Sequence, residues 1–327
     1  MELIANNKPL NMIHQETEIV NNGSSFIEAN TELVSLEHLK EKCIIPVFSK
    51  DNETTISHYE FIQKTSELVK KLFPESNINT PEVRVSHIVK GRTPDAIGKP
   101  AKELLESEKT IYYERCAFLM EIKTVTKEIS GNRLCLTLGG VRAYNQENLY
   151  STKSLEKFKV FIGFKNMVCT NLCISTDGLL NDIRVGSVMD LEDKIAELVS
   201  TYNMDRHIEV MEEMNEYVLS ENEFAHLIGK LKMYLSQSKS QQNFDFPITL
   251  NESQLSKVVK DYYSCDNFKC GDNGSISFWN LYNLFTEANK SSYIDNNLER
   301  NVNVYALMNN LANSMLNSTP NWLLPSI

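Results

Sequence analysis

The sequence predicts an α+β protein: a central antiparallel β meander flanked by an N-terminal helix and a C-terminal helical region. Three observations predict it. A capping pattern near residue 57 leads into apolar residues at helical spacing. From 81 to 175 the apolar residues alternate with period two, and after 187 the helical period returns.

The first thirty residues, rich in Asn, Glu and Ser, read as an arm that is ordered only if something holds it. In Ser57-His58-Tyr59-Glu60 the hydroxyl and the carboxylate can each satisfy a free backbone N–H of a helix start. Phe61, Leu68, Val69 and Leu72 follow at helical spacing, and Pro74 stops the run. Val83, Val85 and Val89 then alternate with more polar neighbours. Residues 99–107 (KPAKELLES) read as a short helix. Cys116, Phe118, Met120 and Ile122 share one strand face, Ser130-Gly131-Asn132 signals a turn, and Leu134, Leu136 and Leu138 follow. Gly139-Gly140 reads as a strand bulge.

Phe158, Val160, Ile162 and Phe164 form another alternating strand. The stretch GFKNMVCTNLCISTDG (163–178) is expected to carry Val168, Leu172 and Ile174 on one face and Cys169, Asn171 and Cys173 on the other. Asp177-Gly178 then supplies the exit turn. Turns this short join antiparallel strands, because parallel pairs need long crossovers.

Ser187 with Asp190 starts a helix carrying Leu191, Ile195, Leu198, Val199 and Tyr202. Ser220 to Glu223 caps another, with Phe224, Leu227, Ile228, Leu231 and Leu235 as its stripe. Further helices are expected at about 252–264, 277–289 and 303–316, with a polar linker at 236–245. The domains read as an arm over 1–30, an α+β region with the sheet over 31–186, and a helical region over 187–327 packing on the sheet.

Composition narrows the function classes. With 42% apolar and 23% charged residues, the 327-residue chain has the make-up of a globular protein. No apolar run approaches the roughly 20 residues of a membrane helix, and the N-terminus lacks a signal-peptide pattern. A cytoplasmic protein without a membrane partner is therefore expected. Seven irregularly spaced cysteines fit reduced thiols. Residues 1–80 hold 7 Lys and Arg against 12 Asp and Glu, residues 81–170 hold 15 against 10, and residues 171–327 hold 11 against 21. Only the middle attracts an anionic partner.

Motifs for chemistry are scarce. Cys169, Cys173, Cys265 and Cys270 lack the close C-x2-C knuckles of a structural zinc site and read as packing. Aligning Gly274 and Ile276 with a calcium loop puts Lys269 and Asn280 where carboxylates are required, so that match fails. Gly139-Gly140 opens no helix and is no phosphate loop. The six histidines are scattered. No cofactor, metal site or catalytic residue is assigned, and a nuclease or other hydrolase with dispersed carboxylates is a third-ranked reading.

The positive middle carries the leading functional expectation, a non-enzymatic protein binding nucleic acid, preferably single-stranded. Lys90, Arg92, Lys99 and Lys102 lie in or beside a Gly/Pro-bearing connection that can bring cations to phosphates. Arg142, Tyr144 and Lys165, with Arg133 and Lys159, belong to strands whose face could stack bases. The plain alternative is a solvated sheet face. A protein-interaction module using the acidic helical third is the competing class.

Several segments together are distinctive: RVSHIVKGRTPDAIGKPAKELLESEKTIYYERCAF, LTLGGVRAYNQENLY, FKVFIGFKNMVCTNLCISTDG and WNLYNLFTEANKSSYID. Over roughly residues 45–300 the chain resembles an uncharacterised bacterial family, domain of unknown function 3871. More distantly, VCTNL and LYNLFTEANK resemble proteins described as phage- or plasmid-related. The resemblance implies a mobile-element setting and no assigned activity. It suits a recombination accessory, or a host-takeover or anti-defence factor.

Polar groups inside otherwise apolar segments mark one more place. Asn171 and Asp177 flank the strand above, and Asn283, Asn289 and Lys290 lie on the late helix. That helix is expected to cross the sheet and bring Arg142, Asn171 and Lys290 together, as a ligand site or as a polar lock.

Overall fold

A computed structural model describes residues 25–43, 55–96, 98–147, 155–237 and 250–325. The chain begins with β1 (Glu32–Val34), α1 (Leu36–Lys42) and α2 (His58–Leu72). Ser57 caps α2 as expected: its hydroxyl accepts from Glu60 N at 3.0 Å, and the Glu60 carboxylate accepts from Ser57 N at 2.7 Å. Strands β2 (Glu82–Val85), β3 (Ile88–Arg92), β4 (Lys109–Tyr113), β5 (Arg115–Ile129) and β6 (Asn132–Ala143) follow. Next come β7 (Glu156–Asn166), β8 (Leu172–Cys173) and β9 (Leu179–Val185). The remainder is α3 (Val188–Thr201), α4 (Met204–Glu216), β10 (Val218–Leu219), α5 (Glu221–Leu235), α6 (Glu252–Ser264), β11 (Ile276–Ser277), α7 (Phe278–Asn289) and α8 (Ile294–Leu316).

Seven strands form one antiparallel sheet in the order β1-β2-β5-β6-β7, with β8 and β9 sharing the outer side of β7. The β5–β6 hairpin closes on Ser130 (φ 50°) and Gly131 (φ 75°). A two-residue turn with both φ values positive matches the twist of the strands it joins. β3 and β4 pair with each other as a separate two-stranded ribbon between β2 and β5. β10 and β11 pair the α4–α5 and α6–α7 connections.

The period-two pattern sorts the sheet into two buried faces. Cys116, Phe118, Met120, Ile122, Leu134, Leu136 and Leu138 join one cluster with Phe61 of α2, Leu191 of α3, Met211 of α4 and Trp279 of α7. Ala117, Leu119, Val141, Phe161, Leu172 and Ile174 face the other way, under Phe26, Ile27 and the start of α8 at Ile294 and Leu298. Large apolar side chains buried this fully contribute about 1.5–3 kcal/mol each. The first cluster runs from Leu39 to Leu323, so the α+β and helical regions share one core.

Several expectations change. Residues 99–107 hold two short 3₁₀ turns, 101–103 and 106–108, instead of a helix. Apart from the half-buried Glu108 their side chains are exposed, as is Leu105 between them at 63%, and a segment so short has no packing to propagate an α-helix. Gly139 and Gly140 sit in regular register opposite Leu119 and Phe118, with no bulge; the irregularity lies between Ile122 and Thr126. They are glycines because their neighbours come too close. A Cβ on Gly139 would overlap the Phe118 carbonyl oxygen, and one on Gly140 would stand 2.6 Å from the Phe61 ring.

The strand expected around 168–174 shrinks to Leu172–Cys173. Residues 166–171 form a turn with Thr170 left-handed (φ 61°), closed by Asn166 N donating to Asn171 O at 2.8 Å. Val168 is consequently exposed. Two helices were not anticipated, α1 and α4, and α8 starts nine residues before the expected 303. Of the N-terminal arm, residues 1–24 lie outside the described residues, as does most of the 236–245 linker. From Phe26 the chain is held: Glu28 N and Ala29 N both donate to Lys290 O, at 2.8 and 3.3 Å.

Candidate functional site

Lys90, Arg92, Lys99 and Lys102 lie on the β3–β4 ribbon and its 93–108 connection, and Lys90, Lys99 and Lys102 are exposed. The rest of this charge is largely answered within the ribbon. Arg92 donates to the Lys99 carbonyl, Lys99 pairs with Glu108, and Lys109 pairs with Glu106. Between residues 88 and 109 there are five Lys and Arg against four Asp and Glu. The ribbon is nearly neutral.

Three other expected nucleic-acid contacts are buried. Lys165 pairs with Glu121 at 2.8 Å and Glu82 at 3.7 Å. Arg142 and Tyr144 are 1% and 2% exposed. The Arg142 guanidinium lies between the rings of Tyr144 and Phe158, 4.6 and 4.5 Å from their centroids. Its Nε and Nη2 donate to Glu147 at 3.1 and 3.2 Å, and Nη2 also donates to Glu156 at 2.6 Å. Both Glu156 oxygens accept from Ile56 N. A charge this deep persists because it is paired and hydrogen-bonded. These side chains cannot stack bases or reach phosphates.

What Arg142 and Tyr144 do is fasten the ribbon. His58 stacks on Tyr144 with centroids 4.2 Å apart, and Tyr112 of β4 meets Tyr144 edge-on at 6.0 Å. His58 Nε2 donates to the Tyr113 carbonyl at 2.9 Å. Since a carbonyl only accepts, the ring proton sits on Nε2. Burial, and then the Arg142 charge, push the His58 pKa down to about 3, so the ring is neutral. On the other side of β4, His38 Nε2 and Tyr113 Oη lie 2.9 Å apart. Glu147, Glu156 and His58 were missed by the sequence reading, since nothing in a linear pattern ties them to Arg142.

Asn171, Asn283 and Lys290 do converge, where α7 crosses the 166–171 turn. Asn283 is the hub. Its Oδ1 accepts from Asn166 Nδ2 at 3.0 Å, its carbonyl accepts from Asn171 Nδ2 at 2.9 Å, and its Nδ2 donates to Trp279 O at 2.9 Å. Lys290 Nζ donates to Cys169 O and to Thr170 Oγ1 and pairs with Glu287 at 2.7 Å. Asn289 works elsewhere, trading amide–carbonyl bonds of 2.9 and 3.1 Å with Asn297 of α8. Exposed Asp177 accepts from Asn203 N at 2.8 Å, at the start of α4.

Arg142 does not join them. Asn166 pairs opposite Leu134, and Arg142 lies eight residues farther along β6, about 26 Å away at the strand rise. The segments VCTNL and LYNLFTEANK thus interlock as a buried polar bolt between sheet and helix. Asn171→Ala is expected to lose about 1–3 kcal/mol, since Asn283 O loses a buried donor. Urea denaturation checks this; an unchanged midpoint would refute the bolt.

Cys173 and Cys169 are packing groups, as expected. Burial lifts the Cys169 pKa to about 12 and that of Cys173 higher still, so neither favours the thiolate. Among the described residues no three His, Cys, Asp or Glu side chains come together as a metal site. The 271–275 turn closes on itself: Gly271 N donates to Ser275 O, and Asn273 Oδ1 accepts from Ser275 N and Oγ.

The family described as domain of unknown function, B. Theta Gene description (DUF3871), matches residues 8–324. The chain belongs to the DUF3871 family. No curated protein and no solved structure matches it. None of its helices is long and apolar enough to cross a membrane, among the described residues.

Proposed function

We propose that the chain is a non-enzymatic cytoplasmic interaction protein whose contact element is the β3–β4 ribbon and whose partner is another protein. The observation that carries this reading is the ribbon itself. It stands apart from the main sheet, is pinned at its base by the buried Arg142 group, and exposes Ile88 and Leu105 among mutually paired charges. Exposed apolar side chains on a nearly neutral element suit a protein surface better than a phosphate backbone. A mobile-element setting, as the sequence resemblance implies, accommodates such an accessory.

Nucleic acid remains the second reading, moved to a different place. The tip of the β5–β6 hairpin exposes Lys123, Lys127 and Arg133 against the single acid Glu128. This patch and the ribbon lie at opposite ends of β5, roughly 45 Å apart. Among the described residues no exposed tyrosine of the sheet face backs it, which weakens base stacking.

One experiment separates the two. A photo-crosslinking residue at position 105 should capture a discrete protein in bacteria expressing the full chain, while the same residue at exposed position 189 should not. Binding of labelled single-stranded and duplex DNA should be weak at about 50 mM salt and absent at about 200 mM. Tight, steeply salt-dependent DNA binding, removed by Lys127→Glu with Arg133→Glu, would reverse the order of the readings.

A further inference from the structure

The turn that fails as a calcium loop, between α6 and β11, carries a dipeptide with chemistry of its own, Asn273-Gly274. Gly271, Asp272 and Asn273 are exposed at its tip. A side-chain amide followed by glycine holds an electrophilic carbon close to a backbone nitrogen. Proximity of this kind replaces a bimolecular encounter. Glycine, lacking a Cβ, leaves that nitrogen open to approach.

The fold adds to this. Asn273 Oδ1 accepts from Ser275 N at 3.0 Å and from Ser275 Oγ at 2.7 Å. Both donors sit on the oxygen that gains negative charge when Cγ is attacked, at distances that stabilise an oxyanion. Among the described residues Asn273 Nδ2, the leaving nitrogen, has no hydrogen-bond partner. Gly274 N is tied to Gly271 O at 2.8 Å, inside the same exposed turn, so freeing it is a local opening that leaves the core closed. Asp177-Gly178 has the opposite arrangement. Gly178 is buried, a Cβ there would stand 2.4 Å from the Ile162 carbonyl oxygen, and the Asp177 carboxylate accepts from Ser175 Oγ at 2.6 Å and Asn203 N at 2.8 Å.

We infer that Asn273 is a self-modification site, converted from amide to acid in the folded chain. Gly274 N attacks Asn273 Cγ and closes a succinimide ring. Asn273 Nδ2 departs as ammonia, carrying the Gly274 amide proton. Water then adds to one imide carbonyl and breaks its bond to nitrogen. Opening at Cγ gives aspartate; opening at the backbone carbonyl gives isoaspartate, whose chain runs through the former side chain. Nothing is oxidised or reduced, and water is the co-reactant. Isoaspartate lengthens the backbone by one carbon inside the loop that Gly271 N and Ser275 O close, just before Ser277, the cap of α7.

The test incubates the full chain for several days in mildly alkaline buffer, one sample folded and one unfolded in urea. Digestion at acidic pH and mass spectrometry then read the amide-to-acid mass gain at each asparagine, and enzymatic methylation counts isoaspartate. Asn273 is expected to convert in the folded chain at no less than about one tenth of its unfolded rate, with isoaspartate among the products. Asn317, also exposed but followed by Ser318, is the internal reference. It should lag about tenfold, because a side chain on the next residue shields the attacking nitrogen. Ser275→Ala should slow Asn273 about threefold or more in the folded chain and leave the unfolded rate unchanged, since the donors act only when the turn is formed. An Asn273 that stays an amide in the folded chain while the unfolded chain converts overturns the assignment. So does an Asn317 that keeps pace with it, or a Ser275→Ala effect equal in the two samples.

Discussion

Gly139→Val gives no soluble folded protein, and Gly139→Ala loses at least about 3 kcal/mol, because the atoms in the way are backbone. A Cβ at this position overlaps the Phe118 carbonyl oxygen and stands 2.7 Å from the Phe161 ring. Phe118 O belongs to the neighbouring strand, so relief requires prying β5 from β6 at the centre of the sheet. The contrast is Gly229 in α5, where a Cβ meets nothing within 4 Å. Gly229→Ala should therefore gain about 0.5–1 kcal/mol from helix propensity alone. Soluble yield, circular dichroism and urea midpoints for the pair check both signs. A Gly139→Ala protein as stable as the parent would show that the strands do not approach this closely.

Arg142→Met loses about 3–5 kcal/mol, the usual cost of removing one partner from a buried ionic group. The loss comes mainly from what stays behind. Glu147 and Glu156 side chains are 3% and 4% exposed, and without the guanidinium their charges face each other with little water. Adding Glu147→Gln and Glu156→Gln should therefore recover part of the loss, though each mutation alone looks disruptive. Denaturation of the single and triple variants tests this ordering. Because Tyr144 packs on the guanidinium and His58 and Tyr112 in turn pack on Tyr144, the single variant should also become protease-sensitive in the 93–108 connection, well before global unfolding. A triple variant no more stable than Arg142→Met would mean that packing around the guanidinium, rather than stranded charge, sets the cost.

Most of the fold was legible, and the reason is local. The Ser57–Glu60 and Ser220–Glu223 boxes act within one turn, and the hairpin turn at Ser130-Gly131 needs only two residues in the left-handed region. Helix α4 was legible too and went unread: Asn203 caps it by accepting from Arg206 N, and His207, Ile208, Met211 and Met214 follow at helical spacing. The candidate site was less legible. Polar residues in apolar strands were noticed, but their partners were not, and partners decide whether a cation faces water or a carboxylate.

By itself the sequence determined the α+β class, the antiparallel sheet, the helix caps and the two apolar faces, since period and capping are set by residues within a few positions of one another. Only the tertiary structure decided what the polar residues do. Arg142 meets Glu156 across 14 residues, Lys165 meets Glu121 across 44, and Asn171 meets Asn283 across 112. A buried polar group is stable only with its partner in place. Whether such a group becomes a surface contact or a structural bolt is therefore fixed when distant segments meet, and not before.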